Sequence, residues 1–76
     1  MGALKKFSSK ELIGLLRSEG FVEVRQRGSH IVLQKKVTET TFTVIVPNHR
    51  EIKIGTLKSI IRQSNLDQSI FELKIS

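Results

Sequence analysis

Apolar side chains recur along this chain with two different periods, and the switches between them mark out its elements. Leu12, Leu15 and Leu16, flanked by Ile13, keep the three- and four-residue spacing of one helical face. Ahead of them, Ser8-Ser9-Lys10-Glu11 reads as a capping box in which Ser8 and Glu11 satisfy the free donors of a first turn. Gly20 suits the left-handed residue that ends a helix, with Phe21 packing back on the last turn. The pattern predicts a helix over 8–19. From Val22 the period drops to two: Val22, Val24 and Gln26 alternate with Glu23, Arg25 and Arg27. Gly28-Ser29 is a two-residue hairpin loop of the kind that takes glycine first. A second strand is predicted over His30 to Lys35 and a third over Thr41 to Val46, ended by Pro47, with Lys36 to Thr40 as a polar loop. After a loop containing Asn48 and His49, Leu57, Ile60 and Ile61 form the stripe of a second helix near Thr56 to Ser64. Asn65 is its stop, and a short terminal helix is expected over Asp67 to Leu73. The order α-β-β-β-α predicts an α+β two-layer sandwich with a three-stranded antiparallel sheet.

Strand pairing then fixes which way each side chain points. A two-residue loop sets Arg27 opposite His30, so Arg25 faces Val32 and Glu23 faces Gln34 on one side of the sheet. Val22, Val24, Ile31 and Leu33 fall on the other side, where the helices would cover them. If the third strand adds Phe42, Val44 and Val46 to that core, Ile31 pairs near Val46 and Leu33 near Val44. His30 then sits near Pro47, and His30, Arg27, His49 and Arg50 gather at one polar edge.

Composition narrows the partners. With 76 residues the chain has room for one domain, its core over about 8–66 and residues 67–76 a short tail or helix. Thirteen Lys plus Arg against seven Asp plus Glu give a formal charge of +6, which favours a polyanion. The absence of cysteine excludes disulfides and thiolate metal sites. The two histidines lack a carboxylate cluster at ligand spacing, so neither a metal nor another cofactor is expected. Met1 to Phe7 carry two lysines but no long apolar run, which predicts neither a signal peptide nor a membrane span. The simplest reading is a cytoplasmic protein with no membrane partner. Four Phe without Trp or Tyr argue against a platform that stacks single-stranded bases.

Candidate chemistry concentrates in Arg25-Gln26-Arg27-Gly28-Ser29-His30. Histidine is the side chain type that exchanges protons near neutrality, and arginine grips phosphate with bidentate, charge-assisted bonds. RNA carries its own nucleophile, the 2′-hydroxyl, so its cleavage needs only proton transfer and stabilisation of a negatively charged phosphorane. His30 is therefore the candidate catalytic residue and Arg27 the phosphate-positioning one. Arg25, Ser29, His49, Arg50 and Lys53 complete the candidate RNA-binding set, and Gly28 forms the turn. His49 is a second candidate for proton transfer. The plainer readings are a solvated histidine beside a turn, arginines serving solubility, a serine that only shapes the loop, and Lys53, Lys58 and Arg62 as a solvated helix face.

The ordered series of a Ser-Lys-Glu-Leu helix start, Gly20-Phe21, Gly28-Ser29-His30, Val46-Pro47-Asn48-His49 and Ile54-Gly55-Thr56-Leu57-Lys58-Ser59-Ile60-Ile61-Arg62-Gln63 resembles the HicA family. The resemblance runs from about Ser8 to Leu66. It implies a fold similar to the double-stranded RNA-binding domain. It also implies a toxin of a type II toxin–antitoxin system: a metal-independent endoribonuclease that cuts messenger RNA, arrests translation and is blocked by a HicB-family antitoxin. The family's essential histidine falls on His30, whereas the histidine matching His49 belongs to the pattern without an established catalytic role. A monomeric free toxin, hetero-oligomeric with its antitoxin, is implied as well. The rival reading is a non-catalytic double-stranded RNA-binding module, which recognises shape, phosphate and 2′-hydroxyl without proton chemistry.

Overall fold

The computed structural model describes residues 2–73. Helix α1 spans Ser9–Ser18, and its start is the capping box that the sequence announces. The Glu11 N–H donates to Ser8 Oγ at 3.1 Å, and the Ser8 N–H donates to Glu11 Oε1 at 3.0 Å. The Ser8 backbone donor, then its hydroxyl, holds the Glu11 carboxyl below the usual carboxylate range. At the other end Gly20 takes a φ of +98°, which a side chain would resist. The Phe21 N–H there reaches the Leu16 carbonyl and the Gly20 N–H the Arg17 carbonyl, both at 3.0 Å. That paired closure turns the chain back and drops Phe21 into the core.

Strands β1 (Val22–Arg27), β2 (His30–Lys36) and β3 (Thr41–Pro47) form one antiparallel sheet in the order β1-β2-β3. Helix α2 spans Ile54–Ser64, two residues earlier at its start than the periodicity suggests, and ends at Asn65 in the left-handed conformation. The expected terminal helix is a shorter 3₁₀ turn, Gln68–Phe71, whose N-cap Asp67 accepts a bond from the Ser69 N–H at 3.0 Å. The remainder of the predicted tail, 74–76, lies outside the described residues. Helices and sheet thus make the two-layer α+β sandwich expected from the α-β-β-β-α order.

The core lies between the helices and one face of the sheet. Ile31 and Leu33 of β2 and Val44 and Val46 of β3 meet Leu12 and Leu16 of α1 and Leu57, Ile60 and Ile61 of α2. Phe7 and Phe71 extend it past both ends of the predicted 8–66 span. Their rings pack edge to face at 6.2 Å, and the neighbouring segments are joined by a bridge between Leu4 and Glu72.

Two expectations about β1 need correction. Val22 and Val24 are not in the core; they are 63% and 49% exposed. Glu23 pairs with Leu33 rather than Gln34, because a bulge between Glu23 and Arg25 inserts one extra residue into the strand. Downstream of the bulge the predicted pairs stand, Arg25 with Val32 and Arg27 with His30. Upstream the parity inverts. Glu23 therefore turns toward the helix side, where it meets Arg17 of α1 at 3.7 Å, while Val22 joins Gln34 on the open face. A strict alternation rule cannot register an inserted residue.

Replacing the α1 cap, Ser8→Ala, is expected to lower unfolding stability by about 1 kcal/mol in urea denaturation at neutral pH. Because the folded state lowers the Glu11 pKa, its stabilising contribution is complete above the ordinary carboxylate range. It is lost as pH falls through the lowered value. Glu11→Gln should therefore show a shallower decline of stability on acidification than the parent.

Candidate functional site

A two-residue turn builds the site. Gly28 adopts φ +58°, Ser29 does not share the left-handed region, and the chain reverses so that Arg27 and His30 stand opposite each other. On its other side His30 is paired with Pro47 of β3, and the pairs Ile31–Val46 and Leu33–Val44 follow as the apolar pattern requires. Arg25, Arg27 and His30 consequently share the sheet face that no helix covers, and all three are exposed. Between them and Ile45 of β3 lies Val32, buried at its central-strand position.

The loop after β3 is fastened to this turn by main-chain bonds. The Asn48 N–H donates to the Ser29 carbonyl at 2.6 Å, and the Ser9 N–H at the start of α1 donates to the His49 carbonyl at 3.0 Å. Ser9 Oγ donates to Asn48 Oδ1 at 3.2 Å, and the Ile52 N–H donates to the Phe7 carbonyl at 2.8 Å. The hairpin turn, the 47–53 loop and the N-termini of both helices therefore occupy one end of the molecule. Both helix dipoles present their positive ends there. Lys53 is the N-cap residue of α2 and makes no side-chain capping bond.

The predicted residues fall into two groups. Arg25, Arg27, Ser29 and His30 belong to the hairpin, with His49 and Arg50 exposed in the adjoining loop. Lys53 stands apart, lining with Lys5 and Lys6 a groove of about 610 Å³ beside the start of α2. Among the described residues the one salt bridge is Arg17–Glu23, so Arg25, Arg27, Arg50 and Lys53 have no carboxylate partner. Arg25, Arg27 and Arg50, free of carboxylates on and beside the hairpin, suit an anionic polymer, with Lys53 in the separate groove. Among the described residues no group of His, Cys, Asp and Glu could hold a metal ion, and no helix is long and apolar enough to cross a membrane.

Sequence reasoning missed Asn48 and Ser9. The bond between their side chains spans 39 positions, and neither periodicity nor local spacing carries a signal for it. Chemically the arrangement offers an exposed imidazole, guanidinium groups on the same face, and a rigid loop beside them.

A family model described as "HicA toxin of bacterial toxin-antitoxin" matches residues 9–66, which is more than half of the chain. No curated protein matches it.

The turn glycine is open to a direct check. Gly28→Ala meets no steric obstacle at the β-carbon, yet it forces a side chain into the left-handed region, at a cost of about 1 kcal/mol. Thermal unfolding should report that loss, and amide NMR shifts should concentrate on His30 and Asn48.

Proposed function

Because the chain belongs to the HicA toxin family of bacterial toxin–antitoxin systems, we propose that it is a metal-independent endoribonuclease that cleaves messenger RNA and so arrests translation. The observation that carries this reading is the placement of exposed His30 directly across the strand pair from Arg27, on the helix-free face. Arg27 and Arg25 bind the scissile phosphate, and His30 transfers a proton at it. In the step itself the RNA 2′-oxygen loses its proton and bonds to phosphorus, and the bond from phosphorus to the 5′-oxygen breaks. The leaving 5′-oxygen takes up a proton, giving a 2′,3′-cyclic phosphate and a 5′-hydroxyl. His30 serves one of the two transfers, as base toward the 2′-hydroxyl or acid toward the 5′-oxygen. The guanidinium groups stabilise the charge that grows on the phosphorane oxygens. His49 and Arg50, in the loop tied to the same turn, contact the flanking backbone. Lys53 serves a more distant phosphate.

The same face explains regulation. A HicB-type antitoxin that settles on it covers His30 and both arginines at once. Messenger RNA as substrate places the activity in the cytoplasm.

Cleavage of a broad RNA pool in EDTA, comparing the parent with a correctly folded His30→Ala variant, tests the proposal. The parent is expected to cut, and the variant to lose about 10²- to 10⁴-fold in rate while still binding RNA. Equal binding by both without cleavage by either would identify a non-catalytic double-stranded RNA-binding module instead.

A further inference from the structure

A second recess lies on the opposite side of the hairpin from His30, between α1 and the sheet. It is an open recess of about 370 Å³, a size in the range of small-ligand sites. Ile13 of α1 and Ile31 of β2 form apolar walls, and Gly14 forms the helix-side floor. Lys10 and Arg17, one turn to either side of Gly14, stand at the rim, and Asn48 closes the end nearest the catalytic turn.

Gly14 is the informative residue. Glycine inside a helix is less favourable than alanine, and such a glycine is ordinarily explained by close approach of another part of the fold. Here a β-carbon at Gly14 would meet nothing within 4 Å, so the fold itself gives no reason for the missing side chain. At this exposed position a longer side chain would instead lie over the recess. Asn48 supplies polarity at its end: Oδ1 accepts the Ser9 hydroxyl, and the amide N–H groups donate to no described residue. Arg17 is also held against the Glu23 carboxylate at 3.7 Å.

We propose that this recess binds a single unpaired nucleotide of the RNA, next to the scissile phosphate. The base lies over Gly14 between Ile13 and Ile31, and the Asn48 amide donates to an acceptor on its edge. Lys10 takes the adjoining phosphate, with Arg17 contributing the donors that Glu23 leaves free. Cations at the rim match a phosphate, and an amide donor at one end matches an acceptor on a base edge. Ile31 and His30 are neighbours on opposite faces, with Cα atoms about 3.8 Å apart, so RNA crossing the small Gly28-Ser29 turn reaches both. This subsite rests on the ribonuclease reading above, and it gives the enzyme a base preference at a fixed position beside the cut.

Three variants of the full chain test it: Gly14→Leu, Gly14→Ala and Asn48→Ala. Affinity for a fluorescein-labelled single-stranded oligoribonucleotide is read in a His30→Ala background, and cleavage in the parent. Leucine fills the recess and is expected to raise KM by about tenfold with kcat retained. It should weaken binding in proportion, at equal or higher thermal stability. Alanine, which adds one carbon over the floor, is expected to fall between the parent and leucine in both binding and KM. Asn48→Ala, which retains the main-chain bond to Ser29, should weaken binding by about three- to tenfold. Sequencing of the cut ends should show base preference relaxed at one position. Unchanged RNA affinity in Gly14→Leu and in Asn48→Ala overturns the proposal. So does a Gly14→Leu variant that keeps RNA but loses the antitoxin, since the recess is then a protein groove. If the parent cuts nothing, the ribonuclease reading fails alone, because the affinity arm still decides the subsite.

Discussion

The candidate site depends on the parity of one turn. Two residues between β1 and β2, and no more, set Arg27 against His30 and send both to the uncovered face. Adding or removing one residue would carry His30 to the helix side and Ile31 to solvent, exchanging the core face for the open one. Gly28 at φ +58° makes the short turn possible. The core enforces it from the other direction, since Ile31 and Leu33 must lie opposite Val46 and Val44 to be buried. Local backbone geometry and apolar burial therefore specify the same register.

The second layer of construction uses main-chain bonds. The loop after Pro47 is tied to the turn through Ser29 and to the start of α1 through Ser9, with the backbone N–H and C=O groups bearing most of the load. Positions held this way keep their place while their side chains vary. His49 and Arg50 can change without loosening the loop, whereas Asn48 also makes a side-chain bond to α1. The pole that gathers both helix N-termini and the arginines of the hairpin and loop, unpaired among the described residues, is thus a main-chain frame with exchangeable fittings.

Much of this was legible in the sequence, for identifiable reasons. The Ser8–Glu11 box, the Gly20 closure and the Asn65 stop are written in adjacent residues, and α1 and α2 appear close to their predicted bounds. The β2–β3 register followed from matching apolar positions, because a buried strand tolerates no slip. The first half of β1 is not legible in the sequence. Val22 and Val24 look like core residues by type and spacing, but the bulge moves them to the open face, and nothing local distinguishes an inserted residue from a regular one. The recess beside Gly14 was hidden for a different reason. It depends on a helix glycine and on an asparagine and a serine 39 positions apart, brought together only by the tertiary fold. Phe7 and Phe71 were likewise hidden, each standing alone outside any periodic run.

The bulge has one more consequence, for colloidal behaviour. β1 is an edge strand, and an edge of regular pleat would offer a template on which further copies could stack through their backbones. The extra residue between Glu23 and Arg25 breaks the even spacing of its outward donors and acceptors and sharpens the local twist. Glu23, Arg25 and Arg27 add charge along the same edge. A chain that exposes valines on an open sheet would otherwise be a candidate for fibrous self-association. The same irregularity that frustrated alternation as a guide to the fold makes β1 a poor seed for it.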